Sequence, residues 1–338
     1  MEQLAYGQDT EELLRRLSEC TTTLDVSRLR ITSLPDLPSS LTYLICSHTP
    51  ITKLPDLPSS LTHLWCEYNA NLTQLPDLPS SLREIQCSYT HITQLPELPS
   101  SLTTIRCHNT ELTQLPDLPS SLTHLACYST PITYIPFLPS SLTYFNCSYT
   151  HITQLPDLPS SLNEFICCST QLTHLPDLPS SLESLQCYKT TLTHLPDLSS
   201  SLKELDCRWT SLTHLPELPS SLEKLYCSFT QLTHLPDLPS SLIALVCDST
   251  HITHLPDLPS GLKYLICDNI PLILPRYPKE SVADYNARWN TWREEQAAKK
   301  RSQERANQIH EDLVAAAWHP KRVARLVALG GYEVLDSL

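Results

Sequence analysis

The chain has 338 residues, with 29 prolines, only four glycines and 14 cysteines, and a net charge of −13. Residues 276–338 hold eleven Lys/Arg against nine Asp/Glu, so residues 1–275 carry −15, a surface that repels DNA, RNA and anionic lipid. No apolar run approaches the ~20 residues of a membrane helix, and Met1–Cys20 is too polar and acidic for a secretory leader.

Residues 1–20 read as an N-terminal capping helix. Asp9 followed by Glu12 fits a capping box, and Leu13, Leu14 and Leu17 form an apolar face suited to covering an array end. From residue 21 to 275 about thirteen copies of one unit follow at a period of 20 residues, with one 21-residue copy at Leu61–Ser81. A period this short and regular predicts a solenoid whose units bury apolar faces against their neighbours. The template is Leu-x-x-Leu-x-Cys-x-x-Thr-x-Leu-Thr-x-Leu-Pro-Asp-Leu-Pro-Ser-Ser. Its first half alternates around Leu-x-Cys, as a short strand with one buried face does. Two prolines three residues apart give the second half an extended, polyproline-like geometry. The predicted fold is a repeat solenoid with a parallel β-sheet on the concave side and extended segments on the convex side.

Twelve cysteines, Cys46 to Cys267, share one inward slot, which Val26 fills in the first copy. The slot therefore asks for a small apolar side chain, and the thiols are expected to be reduced and inert in an intracellular, reducing compartment, cytoplasmic or within a host cell or virion. A redox-sensitive or metal-binding column is the alternative. After Pro275 the pattern breaks, and residues 276–338 read as a helical cap or tail. Ser281 opens a helix with Val282, Tyr285, Trp289 and Trp292 on one stripe. Residues 293–305 are almost wholly polar and read as an exposed helix or a helical spacer, Ile309–Trp318 resumes an apolar face, and His319-Pro320 starts a short helix ended by Gly330-Gly331.

The template resembles the leucine-rich repeat, and its LPDLP half resembles the subclass of bacterial type III effectors of the YopM and IpaH kind. The phrase LPSSLTHL is also similar to the FNIP repeats of amoebae and their viruses. The family's asparagine is threonine here in most copies (Thr49, Thr90, Thr110, Thr130 onward), Asn69 being the exception, so the turn is expected to bond differently. The last segment, EDLVAAAWHPKRVARLVALGGYEVLDSL, resembles a C-terminal module of proteins from large DNA viruses of amoebae, which implies a viral origin.

Stacking turns each repeat position into a column. The columns flanking the buried strand residues vary most and carry aromatics and arginine, the residue types that dominate binding hot spots. The candidate partner-binding residues are Tyr43, Trp65, Tyr68, Tyr89, Arg106, Tyr128, Tyr144, Tyr149, Tyr188, Arg208, Trp209, Tyr226, Phe229 and Tyr264. The other account is that tyrosine and tryptophan are good strand residues that cover their neighbours. Eleven acids from Asp36 to Asp257, interrupted by Phe137, form a second column, read as a solvated edge or a cation-binding strip. A third runs Gln74, Gln94, Gln114, Gln154 and then His174 to His254, a polar ladder or a site for metal or pH sensing.

IpaH-type proteins carry a separate cysteine-dependent ubiquitin-ligase domain, and the 63 residues after the array contain no cysteine. Cys20 and Cys168, the cysteines outside the column, have no His-Asp context. The expected function is a non-enzymatic scaffold that binds a protein partner, without nucleic acid, membrane, metal or cofactor. A viral or effector role on host proteins fits that reading, and a structural component of a giant-virus particle is the alternative.

Overall fold

A computed structural model describes residues 2–268, 270–271 and 281–317. The chain divides into two compact units, Met1–Pro275 and Arg276–Leu338. In the first, thirteen three-residue strands run from β1 (Thr23–Asp25) to β13 (Tyr264–Ile266) and form one sheet in sequence order. Neighbouring strands are parallel and pair residue i with i+20, as Tyr43↔His63, Leu44↔Leu64 and Ile45↔Trp65 do. The single shift to i+21, His63↔Glu84, absorbs the longer repeat. Like residues therefore sit above like.

The middle residue of each strand points inward, and the flanking two point away from the core. Leu44, Cys46 and Ile51 of one repeat are fully buried, as are Leu64, Cys66 and Leu72 of the next. At ~1.5–3 kcal/mol for each large apolar side chain removed from water, this column supplies most of the stabilisation. Phe145 and Phe165 fill two successive leucine slots with rings stacked at 5.6 Å. The stacked cysteines are buried, and burial pushes the thiols from Cys46 to Cys247 up, Cys46, Cys87 and Cys127 to about 12. Cys168, one residue outside that column, is also buried, and its N–H donates to Ser148 Oγ at 3.0 Å.

Between strands the chain forms neither helix nor strand. A turn at each Pro-Ser-Ser-Leu is closed by the leucine N–H on the proline carbonyl, Leu41 to Pro38 at 3.0 Å. The second serine then reaches back one repeat, Ser60 Oγ donating to the Leu41 carbonyl at 2.6 Å and Ser121 Oγ to Leu102 at 2.6 Å. The prolines remove N–H groups that this stretch has no ladder to satisfy.

The threonine-for-asparagine exchange does change the bonding. Ten threonines, from Thr49 to Thr250, donate Oγ1 to the cysteine carbonyl three residues earlier in their own repeat. Asn69 instead bonds across repeats, accepting from the Thr49 N–H at 2.7 Å and donating to the Cys46 carbonyl at 3.0 Å. Asn69→Ala strands buried groups, each costing about 1–3 kcal/mol. The urea midpoint should fall accordingly, and an unchanged midpoint would deny Asn69 any role in joining its repeat to the one before.

The N-terminal helix α1 spans Glu2–Glu19, so Asp9 lies inside it and does not start it. The carboxylate expected to cap a helix accepts the Arg30 N–H of the first repeat at 3.0 Å, and Arg16 donates to the Asp25 carbonyl at 2.7 Å. Leu13 is buried and Leu17 half-buried, but Leu14 is exposed. One residue turns ~100° around a helix, so adjacent leucines cannot share a narrow face.

In the second unit the helix opened at Ser281 runs on through the polar stretch as one continuous element, α2 (Val282–Ala317), in keeping with the exposed helix or helical spacer expected there. Ser281 caps it as expected, accepting the Asp284 N–H at 3.1 Å while its hydroxyl donates to the Asp284 carboxylate at 2.6 Å. Tyr285 and Trp289 are buried, and Trp289 stacks on Trp292 at 5.0 Å. Residues 293–305 are helical and mostly exposed. The irregular end of the last repeat and the helix expected from His319 lie outside the described residues, as does Trp318.

Candidate protein-binding face

Strand geometry sorts the fourteen candidate residues into four outward columns. Tyr43, Tyr144 and Tyr264 occupy the first strand position, and Trp65, Arg106 and Tyr226 the third. Tyr128, Tyr188 and Arg208 follow the buried cysteine directly. Tyr68, Tyr89, Tyr149, Trp209 and Phe229 come next, and here the backbone is left-handed. Twelve consecutive repeats place a non-glycine residue at φ between 53° and 66° at this point.

L-residues with large side chains avoid that region at a cost of roughly 1–2 kcal/mol each. The ladder explains why the conformation persists. Each of these residues donates its N–H to a carbonyl of the following repeat, His48 to Glu67 at 2.9 Å and Trp209 to Ser228 at 3.0 Å. A right-handed residue there would lose that bond. The signal was hidden because glycine and asparagine, the usual marks of positive φ, are nearly absent from this column.

A one-repeat step between strands, ~4.8 Å, suits ring stacking. Tyr43 stacks on His63 at 4.1 Å, and Trp209 on Phe229 at 3.8 Å. A longer run links five repeats: His48 on Tyr68 at 4.4 Å, Tyr68 on Tyr89 at 4.3 Å, Tyr89 edge-on to His108 at 5.3 Å, and His108 on Tyr128 at 4.1 Å. The histidines of these stacks (with His124 against Tyr144 at 6.0 Å) lie in the same variable columns as the aromatic candidates and belong to the same face. Burial and the neighbouring Arg106 guanidinium lower His108 to about 4, which keeps it neutral at pH 7.

A second cluster forms around Arg208. Its guanidinium lies 5.9 Å from the Tyr188 ring centre and 5.4 Å from that of Tyr226, and it donates to both Asp206 oxygens at 2.9 and 2.6 Å. Asp206, at the third and outward position of its strand, is only 5% exposed for this reason. Toward the N-terminus, Glu84 accepts the Trp65 indole N–H at 3.2 Å and is also bonded by Gln86. Burial raises nearby Glu67 above the usual carboxylate range.

Away from the sheet, the acidic column is exposed and unstructured by any regular element. Tyr134 and Phe137 stand exposed where it is interrupted. In the third column the His174, His194, His214 and His234 rings each hold Nδ1 within 3.1–3.2 Å of the preceding threonine hydroxyl. No described helix is long and apolar enough to cross a membrane.

No protein-family model and no curated protein sequence matches the chain. Solved structures do. YopM from Yersinia enterocolitica WA-314 is similar with a TM-score of 0.74 and 37% identity, over 76% of this chain and 58% of that one. YopM of Yersinia pestis, described as a leucine-rich effector protein, gives a TM-score of 0.63 at 31% identity, over 81% and 92% of the two chains. The functional domain of InlJ from Listeria monocytogenes, described as including a cysteine ladder, gives 0.50 at 26%, over 70% and 60%. This chain thus spans 58% of the length of the Yersinia enterocolitica relative. Its 20-residue register and its identity with YopM across most of its length place the chain in the leucine-rich repeat family, with repeats of the YopM type.

Proposed function

We propose that the protein is a non-enzymatic interaction scaffold that binds a protein partner on the outward face of its sheet. One observation carries this reading. Tyr68, Tyr89, Tyr149, Trp209 and Phe229 are 39–51% exposed at left-handed positions, where folding alone favours glycine or asparagine. Bulky aromatics kept at strained, solvent-facing sites are better accounted for by recognition than by stability. The buried, unpaired thiols fit a reducing compartment, and an effector-like role on host proteins is consistent with the Yersinia pestis relative.

The test replaces Trp65→Ser, Tyr68→Asn, Trp209→Asn and Phe229→Asn together in the full chain, since asparagine tolerates positive φ. Proximity labelling in cells expressing the protein should lose its leading protein partner at least about 30-fold, because each hot spot contributes ~2 kcal/mol or more. Circular dichroism should be unchanged. Undiminished labelling with an intact fold would move the binding site off the sheet.

A further inference from the structure

The sheet face has a depression in the middle of the array, and its cause is one small residue. Arg106, Ala126 and Asn146 are register partners on three successive strands. Ala126 contributes only a methyl group where its neighbours carry the larger polar side chains of arginine and asparagine. The resulting cavity of ≈330 Å³ is walled along the strand direction by the His108–Tyr128 stack on one side and by His124 and Tyr144 on the other. Pockets at the lower end of the ligand-binding range have this size, which suits one side chain of a partner.

The positive charge in it has no ion-pair partner among the described residues. Lys224 is paired with Glu204 at 3.0 Å and Arg208 with Asp206 at 2.6 Å, whereas the exposed Arg106 guanidinium has no hydrogen bond or ion pair among the described residues. Glu67 lies within its field without contacting it, and Glu164 stands beyond the far wall, acting on His124. On an array that is otherwise strongly acidic, this guanidinium sets a positive charge beside two tyrosines and a neutral imidazole.

We propose that this depression binds an anionic oxygen group, carboxylate or phosphate, carried by a side chain of the protein partner, with Arg106 as its counter-ion. Guanidinium is the side chain best matched to both groups, because its planar fork makes two parallel bonds to paired oxygens. The tyrosine rings cover the apolar stem of the incoming side chain. The proposal rests on the reading of the sheet as a partner-binding face and names the chemistry of one contact there.

The probes are N-acetylglutamic acid N-methylamide, phenyl phosphate and the neutral N-acetylglutamine N-methylamide, titrated into the full chain labelled with 15N at arginine Nε. The Arg106 Nε–Hε signal, identified by its loss in Arg106→Gln, should shift saturably with one or both anions at a Kd on the order of 1 mM. The glutamine probe should bind at least about tenfold more weakly, the difference expected of a charge-assisted bond. Ala126→Phe, which fills the depression but keeps the guanidinium, should abolish the shift. A response to phosphate alone assigns a phosphorylated side chain and a response to glutamate alone an acidic one. No saturable shift, an equal response to glutamine, or a shift that survives Ala126→Phe overturns the proposal. Loss of the anion response with partner labelling intact would leave the face reading standing; lost labelling with the anion response intact would do the reverse.

Discussion

Phe145→Ala should cost about 3–5 kcal/mol, the largest loss expected from any single core truncation here. The ring is 0% exposed and stacked on Phe165, in the middle of the array, where repeats on either side depend on it. In a stack whose units touch only their neighbours, a weak central interface uncouples the two ends. Amide exchange in the flanking strands should accelerate by about 100-fold or more, and urea unfolding should broaden or split into two transitions. Phe145→Leu restores the side chain used at this slot by Leu125 and Leu185, and should cost less than about 1.5 kcal/mol. A loss below ~1 kcal/mol for the alanine variant would show that the two phenyl rings do not join the halves.

Alkaline pH should unfold the protein well below the range in which its folded thiols ionise. The free-chain thiol value is 9.0, and burial moves Cys46, Cys87 and Cys127 to about 12. Below pH 9 both states keep the proton and these groups leave stability unchanged. Between 9 and 12 the unfolded chain releases protons that the folded chain retains, so the unfolded state gains and stability falls as pH rises. Each thiol in that window raises the unfolding constant about tenfold per pH unit, and the stacked column multiplies the effect. Thermal unfolding followed from pH 8 to pH 10.5 should show a steep decline. Cys87→Val and Cys127→Val together should flatten it by about two tenfold steps per pH unit while leaving stability at pH 7 nearly intact, because Val26 already occupies this slot fully buried. A pH-independent midpoint would mean that the thiols are reached by water.

Both predictions draw on features that were legible in the sequence to different degrees. The inward direction of the cysteines followed from Val26 sharing their slot, a comparison within the chain itself. The 20-residue step puts Phe145 and Phe165 at one height on neighbouring strands, while the stacking of their rings is read from the structure. By contrast, Asp9 looked like a helix cap because acid followed by glutamate three residues on is a local pattern. The structure gives that carboxylate to the Arg30 N–H, twenty-one residues away, a partner that no local pattern contains. Asp206 likewise holds an outward strand position that alternation alone would leave open, and Arg208 covers it.

The repeat length alone settled the parallel register, the buried columns and which residues face outward, because a strand's side chains alternate and an equal step returns each to the same height. Only the tertiary structure decided the left-handed turn after each cysteine, since a hydrogen bond to the next repeat, and no glycine in the column, holds it there. It also decided which outward rings stack, which charges pair and that Arg106 has no ion pair among the described residues, because those outcomes depend on where the side chains of neighbouring repeats reach.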